Sequence, residues 1–354
     1  MTDCAAVRVA VVADTPLQRH ILQQLLVKQG YQVVLNSAPQ HLDRSALEHC
    51  ATDLWLYETV SSNDTLCPSL EYFLAEPSAP VLFGEGAAPA LGTEDYPRWE
   101  RSLLKKIVQL TGHITPAATV VPVLDQPLPT ANRLRSIELP QYFHKHPVDN
   151  TQPAQQVWLL AASMGGPQAV KAFLDVLPQG LPLGFIYAQH IDAAFEGHLP
   201  QAVGRHSQWS VRLLAEHPFI RAGEVVIAPI QQELTFAHDH SLLMRDKPWS
   251  GPYQPSIEQM MRNLAQHYGA ACGVIVFSGM GDDGSCAASY VQQQGAQIWT
   301  QSADSCACSS MPDSVRAVAG SVFSGNPEEL AYELVQYLLH NTHKQHDAQE
   351  RKVQ

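Results

Sequence analysis

The sequence predicts an α/β protein made of two doubly wound parallel-sheet domains. Three observations predict it. Apolar runs of strand length alternate with stretches whose apolar residues recur at helical spacing. That alternation occurs twice, on either side of a Pro-rich segment. The length of 354 residues suits two domains, and a hydrophobic fraction of 45% is ample for two cores.

Val7–Ala13 reads as the first strand, interrupted only by Arg8. Thr15-Pro16-Leu17-Gln18 is a capping box with proline at the first helical position; Leu22, Leu25 and Leu26 carry the helix on and Gly30 ends it. Tyr31–Ala38, Asp53–Glu58 and Pro80–Phe83 read as further strands. Arg98–Leu110 closes the unit as a helix with Leu103, Leu104, Ile107 and Leu110 inward. The first domain is thus expected over 1–110. Over 111–154 prolines fall at 116, 122, 127, 129, 140, 147 and 153 among polar residues. This reads as a semi-extended linker, with room for a short helix near Asn132–Ser136.

The second domain is expected over 155–340. Its strand candidates are Val157–Ala162, Gly184–Ala188, Glu224–Ala228, Gly273–Ser278 and Gln297–Thr300. Gln168–Leu177 reads as a helix through Val170, Phe173, Leu174 and Leu177. Ser256-Ile257-Glu258-Gln259 is a second capping box, opening a helix with Ile257, Met260, Met261 and Leu264 on one face and Gly269 at its end. Pro327–Leu339 reads as the last helix, and 341–354 as a polar, frayed tail.

With 22 basic and 34 acidic residues the net charge is −12, which argues against nonspecific nucleic-acid binding. No signal peptide and no apolar stretch of about 18 residues is expected, so the chain reads as not membrane-embedded. Seven scattered cysteines suit reduced thiols and a cytoplasmic location. Cys306 and Cys308 form a C-x-C without companion ligands. The sixteen histidines do not combine with cysteines at zinc-site spacing, so no metal is expected.

Three strand ends carry chemistry. Val157-Trp158-Leu159-Leu160-Ala161-Ala162 stops at Ser163, followed by Met164, Gly165, Gly166 and Pro167. A hydroxyl at such a strand-to-helix turn projects from the carboxyl edge of the sheet beside a helix N-terminus. Nucleotide-loop patterns, G-x-x-x-x-G-K-[ST] and G-x-G-x-x-G, are absent there. Phe185–Gln189 ends at His190, a possible general base. The run ending at Ser278 leads into Gly279-Met280-Gly281-Asp282-Asp283-Gly284. In a parallel sheet all three ends share one edge, so a nucleophile, a base and an orienting carboxylate can converge. The order Ser, His, Asp differs from the Ser, Asp, His order of α/β-hydrolases.

The blocks Ala161-Ala162-Ser163-Met164-Gly165-Gly166, Gln189-His190, Ala228-Pro229, Pro255-Ser256-Ile257-Glu258, Ser278-Gly279-Met280-Gly281-Asp282-Asp283-Gly284 and Ser310-Met311-Pro312 stand in an order and spacing that covers about 155–338. In them the second half resembles the chemotaxis protein-glutamate methylesterases of the CheB type. The resemblance implies Ser163 as nucleophile, His190 as base and Asp283 as orienting carboxylate. It places Met164, Gly165, Met280 and Gly281 in the active-site loops, with main-chain N–H groups near Met164 or Met280 as oxyanion donors. It implies hydrolysis of γ-glutamyl methyl esters on the cytoplasmic helices of methyl-accepting chemoreceptors, glutamine deamidation as a companion activity, and neither metal nor organic cofactor. A chemosensory histidine kinase or scaffold is a further partner in keeping with it. Ala161 and Met164 depart from the family's Gly and Thr, Glu233 from a frequent His, and Tyr253-Gln254 from a basic residue.

In that family the first domain is a response-regulator receiver, and the resemblance weakens there. A receiver carries an acidic pair after its first strand, where this chain has Ala13-Asp14. The phosphoacceptor aspartate is replaced by Glu58, and the Ser or Thr after the fourth strand by Gly84. A degenerate receiver without an Asp-phosphate switch is therefore expected, with an unrelated α/β domain as the rival. For the whole chain two other readings stand beside the esterase: a non-enzymatic signalling adaptor that kept the fold, and a general small-molecule esterase.

Overall fold

The computed structural model describes residues 6–58, 68–75, 77–84, 89, 96–111, 136–320 and 323–353. The first unit runs β1 (Arg8–Ala13), α1 (Pro16–Lys28), β2 (Gln32–Ser37), α2 (Arg44–His49), β3 (Leu54–Glu58), α3 (Pro68–Ala75), β4 (Val81–Phe83) and α4 (Tyr96–Thr111). Its four strands are parallel in the order β2-β1-β3-β4. Thr15 caps α1 by accepting from the Gln18 N–H at 3.2 Å. Both faces of the sheet are covered. Val9, Val11, Leu54 and Leu56 face α1 and α4 through Leu22, Leu26, Leu103 and Ile107. Ala10, Val12, Trp55 and Tyr57 face Leu47 and Phe73 on the other side.

The Pro-rich segment is described from residue 136, so most of the helix expected near Asn132–Ser136 lies outside the described residues. Its later part packs onto the second unit. The Ile137 N–H donates to Val176 O at 2.9 Å, and a short helix, α5 (Gln141–Lys145), buries Phe143 in the second core.

The second unit continues with β5 (Val157–Ala162), α6 (Gly166–Val176), β6 (Gly184–Gln189), α7 (Leu199–Gly204), β7 (Ser210–Arg212), β8 (Glu224–Ile227), β9 (Leu234–Phe236) and β10 (Leu242–Met244). It ends with α8 (Ile257–Tyr268), β11 (Cys272–Val276), α9 (Ser285–Gln293), β12 (Gln297–Gln301), α10 (Ser310–Ala319), β13 (Phe323–Gly325) and α11 (Pro327–Val353). Seven strands form a parallel sheet in the order β13-β12-β11-β5-β6-β8-β7, and β9 and β10 pair as a separate antiparallel hairpin. Along β5, Val157, Leu159 and Ala161 enter one core, and Trp158, Leu160 and Ala162 the other. A strand buried on both faces reads as an unbroken apolar run, which is why β5 stands out in the sequence.

From β5 the chain builds outward through β6 on one side and returns through β11 on the other. The switch in strand order lies between β5 and β11, and the crevice beyond their carboxyl ends is the place such sheets offer a ligand. The last helix runs to Val353, rather than giving way to a frayed tail after His340. Its distal residues are polar, but none is Gly or Pro, and Lys, Gln, Glu, Arg and Ala are good helix formers.

Candidate active site

Ser163 occupies the turn from β5 to α6, at the switch crevice. Gly165 makes that turn possible, with φ of +73°. A side chain there would be strained, and its Cβ would lie 2.9 Å from Ser278 Oγ. The backbone of Ser163 is tied to both neighbouring strands. Its N–H donates to Ser278 O, beyond β11, at 3.1 Å. Its carbonyl accepts from the Gly166 N–H at 2.9 Å and from Gln189 Nε2, at the end of β6, at 2.7 Å.

His190 directly follows β6. Its ring Nε2 lies 2.9 Å from Asp283 Oδ2, and the two side chains are only 12% and 3% exposed. Asp283 is in turn held by the start of α8. Its Oδ2 accepts from the Ile257 N–H at 2.8 Å and its Oδ1 from the Glu258 N–H at 2.9 Å. The helix N-terminus thus supplies two otherwise unpaired donors and a favourable dipole to a buried carboxylate. Asp282 points outward and makes neither contact. With Nε2–H donated to Asp283, the imidazole keeps the lone pair of Nδ1 for a proton.

Ser163 and His190 line one cleft of about 710 Å³, together with Met164, Gly165, Met280 and Gly281. Among the described residues the N–H groups of Met164 and Met280 have no hydrogen-bond acceptor, whereas that of Gly281 donates to Ser310 Oγ at 3.0 Å. Gly281 is therefore a poor oxyanion donor, because its hydrogen is already used. The cleft has a second wall from the first unit: the end of β4 from Val81 to Gly84, and Ser102, Lys105, Lys106 and Gln109 on α4.

Two departures noted in the sequence acquire a physical meaning. The Met164 side chain, partly buried, packs against the core cluster of the first unit, the one that includes Leu103 and Ile107. Glu233 does not line the cleft. It is buried, and although burial works against its charge, Lys247 at 2.6 Å and Asn263 at 3.1 Å hold its carboxyl below the usual range.

Sequence reasoning singled out Gln189 only as part of a motif; the structure makes it a junction. Buried at 3% exposure, it accepts from Tyr187 Oη at 2.6 Å and donates to both Ser163 O and His190 O. It fixes the Ser163 turn relative to His190. The available signal was a polar residue closing an otherwise apolar strand.

In the first unit, Asp14 directly follows β1 and Glu58 ends the adjacent β3, and the Asp14 N–H donates to Glu58 O at 3.3 Å. The Glu58 side chain is buried, and its Oε1 has no hydrogen-bond partner among the described residues. A Cβ built at Gly84 would overlap the Glu58 carboxyl group, so the two positions are one packing unit. Burial, with the charge of Asp192 adding to it, pushes Glu58 up to about 8 against the opposing pull of Lys106. Burial likewise pushes Lys106 down, although Glu58 favours its charge. Among the described residues no group of three or more His, Cys, Asp or Glu is arranged to hold a metal ion. None of the described helices is long and apolar enough to cross a membrane.

The sequence model of the CheB methylesterase family matches residues 158–334, half of the chain. A protein of Burkholderia thailandensis named protein-glutamate methylesterase/protein-glutamine glutaminase 4 is 29% identical over 183 residues, covering 51% of this chain and 53% of its own. A like-named protein of Saccharophagus degradans is 32% identical over 157 residues, covering 44% and 43%. The chain thus spans about half the length of the curated relatives it matches. The crystal structure of the Thermotoga maritima CheB methylesterase catalytic domain superposes with a TM-score of 0.49 at 20% identity, over 51% of this chain and 98% of that one.

Proposed function

The chain belongs to the CheB methylesterase family, and from that premise we propose that it is a protein-glutamate methylesterase of a chemosensory pathway. Its substrates are γ-glutamyl methyl esters on the cytoplasmic helices of chemoreceptors, and it works in the cytoplasm. The observation that carries the reading is the Asp283-anchored His190 facing the cleft that Ser163 also lines.

In this reading Ser163 Oγ attacks the ester carbonyl carbon while His190 takes the hydroxyl proton at Nδ1, since Nε2 faces Asp283. Asp283 stabilises the imidazolium that forms. The Met164 and Met280 N–H groups are the candidate donors to the oxyanion. Collapse of the tetrahedral intermediate breaks the bond to the methoxy oxygen, which leaves as methanol with the proton from His190. Water, deprotonated by the same histidine, then releases the glutamate from Ser163. With a glutamine side chain the same steps expel ammonia, which accounts for a companion deamidase activity.

The first unit is, in this reading, a degenerate receiver that works without aspartyl phosphate. Its support is Glu58, whose carboxyl is buried in space that Gly84 leaves open. Incubation with acetyl phosphate and Mg²⁺ is expected to leave it unlabelled; stable labelling would overturn this. The extent to which the first unit walls the cleft favours one second reading, an adaptor that docks receptors or their kinase scaffold without turnover.

Methanol release from methylated receptor fragments separates the two. Ser163→Ala is expected to lower turnover by about 10⁶-fold, to background. Equal background release by wild type and variant across several receptors would favour the adaptor.

A further inference from the structure

His190 is fixed by Asp283 at only one point, ring Nε2. One hydrogen bond sets the distance of an imidazole but leaves it free to swing about that bond and to turn over. A base needs its other nitrogen aimed at the nucleophile, and a second restraint on the ring plane supplies that aim.

Tyr253 provides such a restraint. Its ring lies parallel to the imidazole, at 5° between planes, with centroids 5.0 Å apart. That is the offset stack that aromatic quadrupoles favour. Tyr253 is itself tethered, because its hydroxyl donates to Asp282 Oδ1 at 3.3 Å. The neighbouring aspartates therefore divide the work: Asp283 holds the imidazole edge, and Asp282 holds the ring that covers its face. Tyr253 also lines the cleft, so it shields that face of the base from water. It lies in the loop before Ser256, whose following residues donate to Asp283. One short segment thus restrains the base through both its partners.

We propose that Tyr253 is a positioning residue for His190, fixing the ring plane and so the direction of Nδ1. The proposal rests on the esterase reading for its kinetics but not for its geometry. The stacked ring and not the hydroxyl is the main element, so phenylalanine keeps most of the function and alanine does not.

Two measurements on the full-length protein test this. The first is methanol release by wild type, Tyr253→Phe and Tyr253→Ala. Tyr253→Ala is expected to lose about tenfold or more in kcat with KM within about twofold of wild type, and Tyr253→Phe to recover most of that loss. A rise in KM with kcat preserved would make Tyr253 a substrate contact and overturn the proposal, as would an alanine variant with wild-type constants. The second needs no turnover: ¹⁵N NMR of the imidazoles, with His190 assigned by its absence in His190→Gln. Wild type and Tyr253→Phe are expected to show one Nε2–H tautomer, and Tyr253→Ala an averaged pair of nitrogen shifts. An unaveraged Nε2–H signal in Tyr253→Ala would overturn the proposal. Should wild type release no methanol, the esterase reading fails, and the NMR result alone decides the role of Tyr253.

Discussion

Asp283 carries two duties at one carboxylate, and they set what its replacement should do. It accepts from His190 and from two backbone N–H groups of α8. Asparagine keeps the shape but offers a single acceptor oxygen, and its amide would face at least one donor. Asp283→Asn is therefore expected to cost about 1–2 kcal/mol of stability, as the loss of a cap does. It should also lower kcat by about 10²–10⁴-fold, because the imidazole loses its tautomer. Urea unfolding and methanol release on one preparation check both; a kinetic loss with no change in stability would mean the α8 contacts are dispensable. Ser163, His190 and Asp283 are legible as candidates because each closes or follows an apolar strand, and strand ends of a parallel sheet meet at one edge. Tyr253 and the junction role of Gln189 were not. A ring in an irregular loop has no period to betray it, and the value of Gln189 lies in partners on two other segments.

Elements became legible in proportion to length and burial. β1, β3, β5, β6 and β11 are five or six residues long and almost wholly buried, so their apolar runs stand out. β7, β9, β10 and β13 are three residues each, too short to show any alternation in the sequence. The join between β3 and β4 shows what a pattern reading misses even where the strands are found. Glu58 and Gly84 look like two separate departures from a receiver, yet the Glu58 carboxyl fills the space a side chain at 84 would need. Introducing serine alone, as Gly84→Ser, is expected to destabilise the protein by about 1–3 kcal/mol through overpacking. Glu58→Asp, one methylene shorter, should relieve part of that cost. A double-mutant cycle by thermal unfolding is then expected to give a coupling of about 0.5–3 kcal/mol. Additive effects would mean that the two positions do not share this space.

Contact between the two units was beyond a reading of either half. Gln168 Nε2 donates to Phe73 O at 2.7 Å across a separation of 95 residues. Phe195 packs beside Tyr57 and Phe83, and Met164, next to Ser163, packs against the first unit's core. Because Met164 adjoins Ser163, loosening this contact should be felt at the cleft. Met164→Thr is expected to raise amide exchange in α4 and to speed turnover of receptor fragments more than that of small esters; equal acceleration of both would point to the turn itself. Glu58 makes the whole-molecule state depend on pH as well, because Asp192 of the second unit helps to raise it. Its ordinary value is 4.5 and its folded value about 8, so between those limits the native protein holds a proton that the unfolded chain has lost. Stability from this site is therefore fully present below about pH 4.5, falls as pH rises, and is lost above about pH 8. At about 1.4 kcal/mol per pH unit, the swing is on the order of 3 kcal/mol once relaxation of a buried group is allowed for. Glu58→Gln cannot titrate. Urea unfolding at about pH 6 and about pH 9 should thus show a smaller loss of stability in the variant than in wild type. Asp192→Asn should lower the folded value of Glu58 and move the wild-type decline to lower pH without abolishing it. If Glu58→Gln declines as steeply as wild type, the pH dependence belongs to another group.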